Sequence, residues 1–317
     1  MTKIKTEIRN FRSARKERRR STVREKKLAP NEIVFISIML AVPIIQFCVF
    51  WLSVNIRSVL MAFQLPSGEW SMNTFKQVFL DFRTNTGVSL GISIRNSIIF
   101  WLQGVLMIPF NLYITYFLYK KIRGYRLWQV MMYLPGMIGS LVVVTAFKKF
   151  IEPNGPVGTL LKLRGVNPVP EFLQNSDTAF ITILLYSCWM GWASNLLLLG
   201  GALARIPVEI LEAARIDGVG PMRELIYVIF PLVWPTVSTL LILGLTSIFS
   251  VGGNILLFTG GAYGTSTIGY WMFHKVYYAG PSAYNQVSAA GLIFTAIGVP
   301  VILGVRKIIE KIPTVEY

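Results

Sequence analysis

Six long stretches of this chain carry no charged residue: Ile33 to Val54, Asn96 to Tyr119, Leu127 to Phe147, Thr178 to Ala204, Leu225 to Val251 and Gln286 to Val305. Each holds about 20 residues or more, which at about 1.5 Å per residue matches a hydrocarbon layer about 30 Å thick. The pattern predicts an all-α polytopic membrane protein with six transmembrane helices. Proline falls inside several of them, at Pro43, Pro109, Pro135, Pro231, Pro235 and Pro300. Neighbouring helices re-satisfy the backbone groups that proline frees, so a kinked bundle is expected.

Composition agrees. The 317 residues are 53% hydrophobic and 15% charged, with mean hydropathy +0.55. A soluble chain carries about 25% charged residues, so much of this surface is expected to face lipid. The net charge of +16 raises the question of nucleic acid, but the basic residues cluster between the apolar runs. That distribution sets topology and calls for no nucleic-acid partner. Cys48 and Cys188 lie in separate apolar stretches without metal-ligand spacing and read as buried thiols.

Cytoplasmic segments retain Lys and Arg. Of 31 such residues, 22 fall on one side: in the tail before the first stretch, between Lys120 and Arg126, between Arg205 and Glu224, and after Val305. Both termini are therefore expected in the cytoplasm, with segments 55–95, 148–177 and 252–285 outside. The expected division is a basic tail over residues 1–30, a six-helix domain over 31–308 and a short tail over 309–317. Ile4, Ile8 and Phe11 stand at rough helical spacing, which would allow the basic tail to lie along the inner leaflet.

The segment 205–224, RIPVEILEAARIDGVGPMRE, reads as two short helices. Pro207 suits a first helical turn, Gly218 a C-terminal cap, and Pro221 the opening of a second helix that runs on toward Pro231. Glu209, Glu212, Ala213 and Ile216 then share one face. A carboxylate beside the small side chains Ala213 and Ala214 suits docking onto another protein, and equally suits an ordinary surface helix.

Glu212, Ala213, Ala214, Gly218, Val228 and Pro231 stand at the spacing of the EAA signature and closely resemble it. That signature marks permease subunits of bacterial ABC importers. Val228 and Phe230 replace the usual Ile and Leu, both apolar exchanges. Ile206-Pro207 and Ala214 to Gly218 resemble the sugar and oligosaccharide branch, including maltose-type permeases. Leu134-Pro135 and the segment from Glu152 to Pro156 resemble permeases for polysaccharide fragments. The resemblance implies the type I importer permease fold and a location in the bacterial cytoplasmic membrane. It implies pairing with a second, similar permease, two ATPase subunits and an extracellular binding protein that delivers a sugar. Pro207, Glu209, Glu212, Ala213, Ala214, Asp217 and Gly218 would form the ATPase-coupling element, with Glu212 meeting an ATPase arginine.

The chain contains no Gly-Lys pair, so it has no P-loop. ATP and magnesium would be held by the ATPase subunits, with no cofactor or metal on this chain and no catalytic residue. For the substrate path, aromatic faces and amides nominate Trp189, Trp192, Asn195, Phe249 and Asn254. Packing and interhelical hydrogen bonding are the plainer roles for each. An ion-coupled transporter would place carboxylates inside the spans, and the six stretches hold none. A channel subunit would show a selectivity ring, and a membrane scaffold would leave the EAA segment unexplained.

Overall fold

The computed structural model describes residues 30–84, 87–192, 194–251 and 253–312. The basic tail, with Ile4, Ile8 and Phe11, lies outside the described residues. The described part is helical, with an isolated bridge between Gln64 and Trp70.

Five helices are long and apolar enough to cross a membrane, and a bent pair brings the number to six. They are α1 (Pro30–Ala62), α3 (Leu90–Tyr119), the segment Ala179–Leu203 made of α7 (Ala179–Gly191) and α8 (Leu196–Leu203), α10 (Pro221–Ser247) and α13 (Pro281–Ile309). Shorter helices fill the connections: α2 (Asn73–Arg83), α6 (Pro156–Leu163), α9 (Val208–Ile216), α11 (Gly253–Phe258) and α12 (Ile268–Tyr278). Proline occupies the first turn of α6, α10 and α13, where its missing N–H costs nothing.

The stretch 127–147, expected as one span, is broken. It comprises α4 (Tyr125–Met137), then α5 (Ser140–Ile151), and the axis turns by 104° between α4 and the segment Ser140–Leu163 that α5 opens. Ile138 and Gly139 adopt extended backbone angles immediately after Pro135 and Gly136, so the helical ladder stops there. Four of the other helices, α1, α3, α10 and α13, begin before their uncharged stretches. Thus α3 takes in Arg95 and α10 takes in Arg223 and Glu224.

The chain divides into two compact units, Met1–Arg57 and Ser58–Tyr317. In the first, the described helix is apolar and exposed on every face, as suits a helix solvated by lipid or by other helices.

The second unit has three apolar clusters. One joins Leu112 and Tyr116 of α3, Leu199 and Leu203 of α8, Leu211 of α9 and Leu225 and Ile229 of α10. Another gathers Ala62, Val78 and Leu90 with Trp271, Ala289 and Phe294. The third packs Phe100, Val144, Ile183, Tyr186, Phe258 and Tyr270.

A polar seam along α3 fixes its place. Ser89, Ser93, Asn96 and Ser97 are all buried. Asn96 Nδ2 donates to the carbonyls of Gly264 and Ser266 at 2.7 and 2.8 Å, Ser93 pairs with Ser266 at 2.8 Å, and Ser97 accepts from Ile268 N at 2.9 Å. Farther along α3, Asn111 donates to Gly191 O at 3.0 Å. Interhelical bonds of this kind give register in a medium that offers no competing water.

Candidate coupling helix and the transport path

Helix α9 begins after Pro207 and ends in a Schellman turn. Gly218 N–H donates to Arg215 O and Val219 N–H to Ala214 O, both at 3.0 Å, and Gly218 sits at φ +74°, which favours glycine. Asp217 is the capping residue and is exposed.

Leu211 and Ala214 are buried, while Glu209, Glu212, Ala213 and Ile216 face outward, Ile216 being 86% exposed. The two alanines therefore separate: Ala213 belongs to the exposed face and Ala214 lets α9 sit closely on its own protein. The outward face offers carboxylates, a small residue and a bare isoleucine, a combination suited to a partner groove.

Behind α9 lies an ion pair that the pattern of apolar and charged positions did not single out. Lys120, which caps α3, places Nζ 2.6 Å from Glu224 Oε2, and the Glu224 side chain is 1% exposed. The same ammonium lies 4.8 Å from the centroid of the Tyr116 ring. Burial is the largest influence and disfavours the Lys120 ammonium, yet Glu224 and Tyr116 together outweigh it and hold the lysine above its usual pKa. A signal was present: Glu224 is a carboxylate at the mouth of an apolar stretch, and Lys120 follows another directly.

The five nominated path residues are distributed over several environments. Trp189 lines an apolar cavity of about 460 Å³ with Pro135, Val143 and Phe147. Trp192 lies 6.2 Å from Phe110 between ring centroids. Asn195 and Asn254 are half-buried, Asn195 just ahead of α8. Phe249 packs on Phe294 at 5.5 Å, in a different cluster from the one that Trp189 borders. Among the described residues, the buried amides that bond across the bundle are Asn96, Asn111 and Asn285. Sequence had pointed to amides in spans, and position on the buried face of α3 or α13 decides which of them matter.

Beyond the far end of the segment Ala179–Leu203 from α9, a polar cleft of about 690 Å³ is lined by Lys148, Glu152, Asn154, Glu171, Gln174 and Tyr263, among others. Lys148 Nζ donates to Leu257 O and Phe258 O, both at 3.2 Å, holding α11 against α5. The turn into α6 is too tight for a side chain at Gly158, whose Cβ would stand 2.3 Å from Pro153 O. A second clasp joins α2 to α12: Asp81 accepts from Trp271 Nε1 at 2.6 Å and from Lys275 Nζ at 2.8 Å. His274, on the same helix, has its pKa pushed down by burial and by the charge of Lys275.

Residues 119–312 match the family described as the binding-protein-dependent transport system inner membrane component. The chain belongs to this family. The matched region includes α9, Glu224 and the spans on either side. Such a component is a membrane transport subunit, embedded in the bacterial inner membrane through several apolar helices.

Among relatives of this inner membrane component, it is 30% identical over 187 residues to the sn-glycerol-3-phosphate transport system permease protein UgpA of Yersinia enterocolitica. That alignment covers 57% of this chain and 62% of the relative. It is 28% identical over 202 residues to the maltose/maltodextrin transport system permease protein MalF of Yersinia pestis, covering 59% of this chain and 38% of that one. A crystal structure of a bacterial ABC transporter involved in the import of the acidic polysaccharide alginate contains a chain that superposes with a TM-score of 0.76. The superposition covers 88% of this chain and 96% of that one at 21% identity, and it shows that the fold is shared.

Proposed function

We propose that this chain is one permease half of an ATP-driven importer that takes a sugar or oligosaccharide from an external binding protein and passes it across the cytoplasmic membrane. The observation that carries the reading is α9. Its outward face, Glu209, Glu212, Ala213 and Ile216, is set on a helix backed by a buried apolar cluster and closed by Gly218. Glu212 meets an ATPase arginine, Ala213 permits close approach, and Ile216 supplies apolar contact. Pro207, Ala214, Asp217 and Gly218 set the helix in place.

The α9 end is cytoplasmic in this reading, supported by the excess of Lys and Arg there. The polar cleft near Glu152 and Glu171 faces outward. A second permease completes the path, with Trp189, Trp192, Asn195, Phe249 and Asn254 as candidate wall residues. ATP and magnesium reside on two ATPase subunits, and this chain carries no cofactor. A sugar cargo is supported by the relative named for maltose and maltodextrin and by the alginate importer that shares the fold.

The test is reconstitution with the companion permease, the ATPase and the binding protein, followed by uptake of labelled oligosaccharide. ATP and the binding protein should both be required. Glu212→Ala should weaken ATPase docking at least about tenfold, because removing one partner of a desolvated charge pair costs about 2–5 kcal/mol. Uptake driven by an ion gradient without ATPase subunits would refute the reading.

A further inference from the structure

Helix α9 touches the rest of the protein chiefly through apolar side chains, Leu211 within the cluster of Tyr116, Leu203, Ile206, Leu225 and Ile229. Apolar contacts are non-directional, so they hold α9 down without fixing how its movement is passed on. A directed contact is present beside them. Glu224 begins the π-helical turn Glu224–Ile229, seven residues after Asp217 caps α9, and it joins Lys120 at the end of α3 across 104 residues of sequence.

The pair has an unusual surplus. Glu224 Oε1 and the Tyr116 hydroxyl are both buried and neither makes a hydrogen bond within the protein. Tyr116 belongs to the same pocket, with its ring under the Lys120 ammonium. A buried carboxylate with a spare oxygen can rotate or change partner without becoming a bare charge. A fully used one would resist any displacement.

We propose that Lys120 and Glu224 are positioning residues of the transport cycle, forming a latch that carries displacement of α9 into span α3, with the Tyr116 hydroxyl as the alternate partner of Glu224. The proposal rests on the importer reading given above. α3 is the span through which such movement would spread, since its seam of Ser93, Asn96 and Asn111 grips both the turn before α12 and the end of α7. A latch at one end of a helix so held along its length moves that helix as a body.

The experiment compares wild type, Lys120→Met, Glu224→Gln and the reversed pair Lys120→Glu with Glu224→Lys, in liposomes containing the companion permease, ATPase and binding protein. Uptake and ATP hydrolysis are measured in the same preparation. Each single variant should import fewer molecules per ATP, by about fivefold or more, the lower end of what coupling between two sites is worth. The reversed pair should recover most of that ratio, which a general loss of stability would not do. Should Glu224→Gln fail to assemble, Lys120→Met, altered at the more exposed member of the pair, supplies the same ratio. Single variants with an unchanged ratio would overturn the latch, as would a reversed pair no better than either single variant. If the wild type imports nothing with ATP, it is the importer reading that fails.

Discussion

Gly218 and Gly220 stand two residues apart and face opposite constraints. Gly218 takes φ +74°, where a Cβ costs about 1–2 kcal/mol, and the Schellman bonds of α9 depend on that conformation. Gly220 takes φ −69°, with open space where a Cβ would stand. Gly218→Ala should therefore lower the Tm of the purified protein and loosen ATPase docking, whereas Gly220→Ala, at the N-cap of α10, should lower the Tm less and leave docking unchanged. Thermal unfolding in detergent and co-purification with the ATPase check this. Glu224 is governed by burial: deleting one member of a buried ion pair costs about 3–5 kcal/mol, while an exposed pair such as Arg306 with Glu310 is worth about 0–1 kcal/mol. The position of Gly218 was legible in the sequence because local backbone geometry demands it. The burial of Glu224 was not, because it depends on Lys120, more than a hundred residues away.

At the scale of elements, long apolar runs became helices because lipid leaves the backbone no other partner, so five of the expected spans could be read directly. The bent pair α4 and α5 escaped because Pro135, Gly136 and Gly139 permit both a kink and a break, and packing chooses. The short helices α2 and α12 escaped because they carry charges and lie between spans. Their clasp, Asp81 with Trp271 and Lys275, leaves His274 half-buried among Tyr270, Tyr278 and Lys275. Burial first, then the Lys275 charge, favour neutral imidazole in the folded state, below the usual value of 6.5. The stabilising contribution is therefore complete above about pH 6.5 and is lost as the pH falls through the lower folded value. Melting curves taken from pH 7.5 down to 5 should show this loss, and His274→Gln should flatten it. An unchanged acid limb in the variant would assign the loss to other groups.

For the whole molecule, α3 is the member held at both ends: Asp81, shortly before it, is tied to α12, and Lys120, at its end, is tied to α10. Between these points the seam residues fix its register, so α3 forms a continuous rod between the α9 end and the opposite end of the bundle, able to move as one piece. In the proposed reading the direction of that rod across the membrane is set by charge: Lys120, Lys121, Arg123 and Arg126 with Arg205, Arg215 and Arg223 stand in the two connections at the α9 end, and basic loops are retained in the cytoplasm. A thiol at Ile216, 86% exposed on α9, should then be reachable only from the cytoplasm, and one at Asn154, on the rim of the polar cleft, only from outside. With Cys48 and Cys188, both free thiols, changed to Ser, a membrane-impermeant maleimide should label Asn154→Cys in intact cells and Ile216→Cys only after permeabilisation. The reverse pattern would place α9 outside the cell, where no ATPase could reach it, and would remove the ground on which Glu212 and the Lys120 latch are assigned their roles.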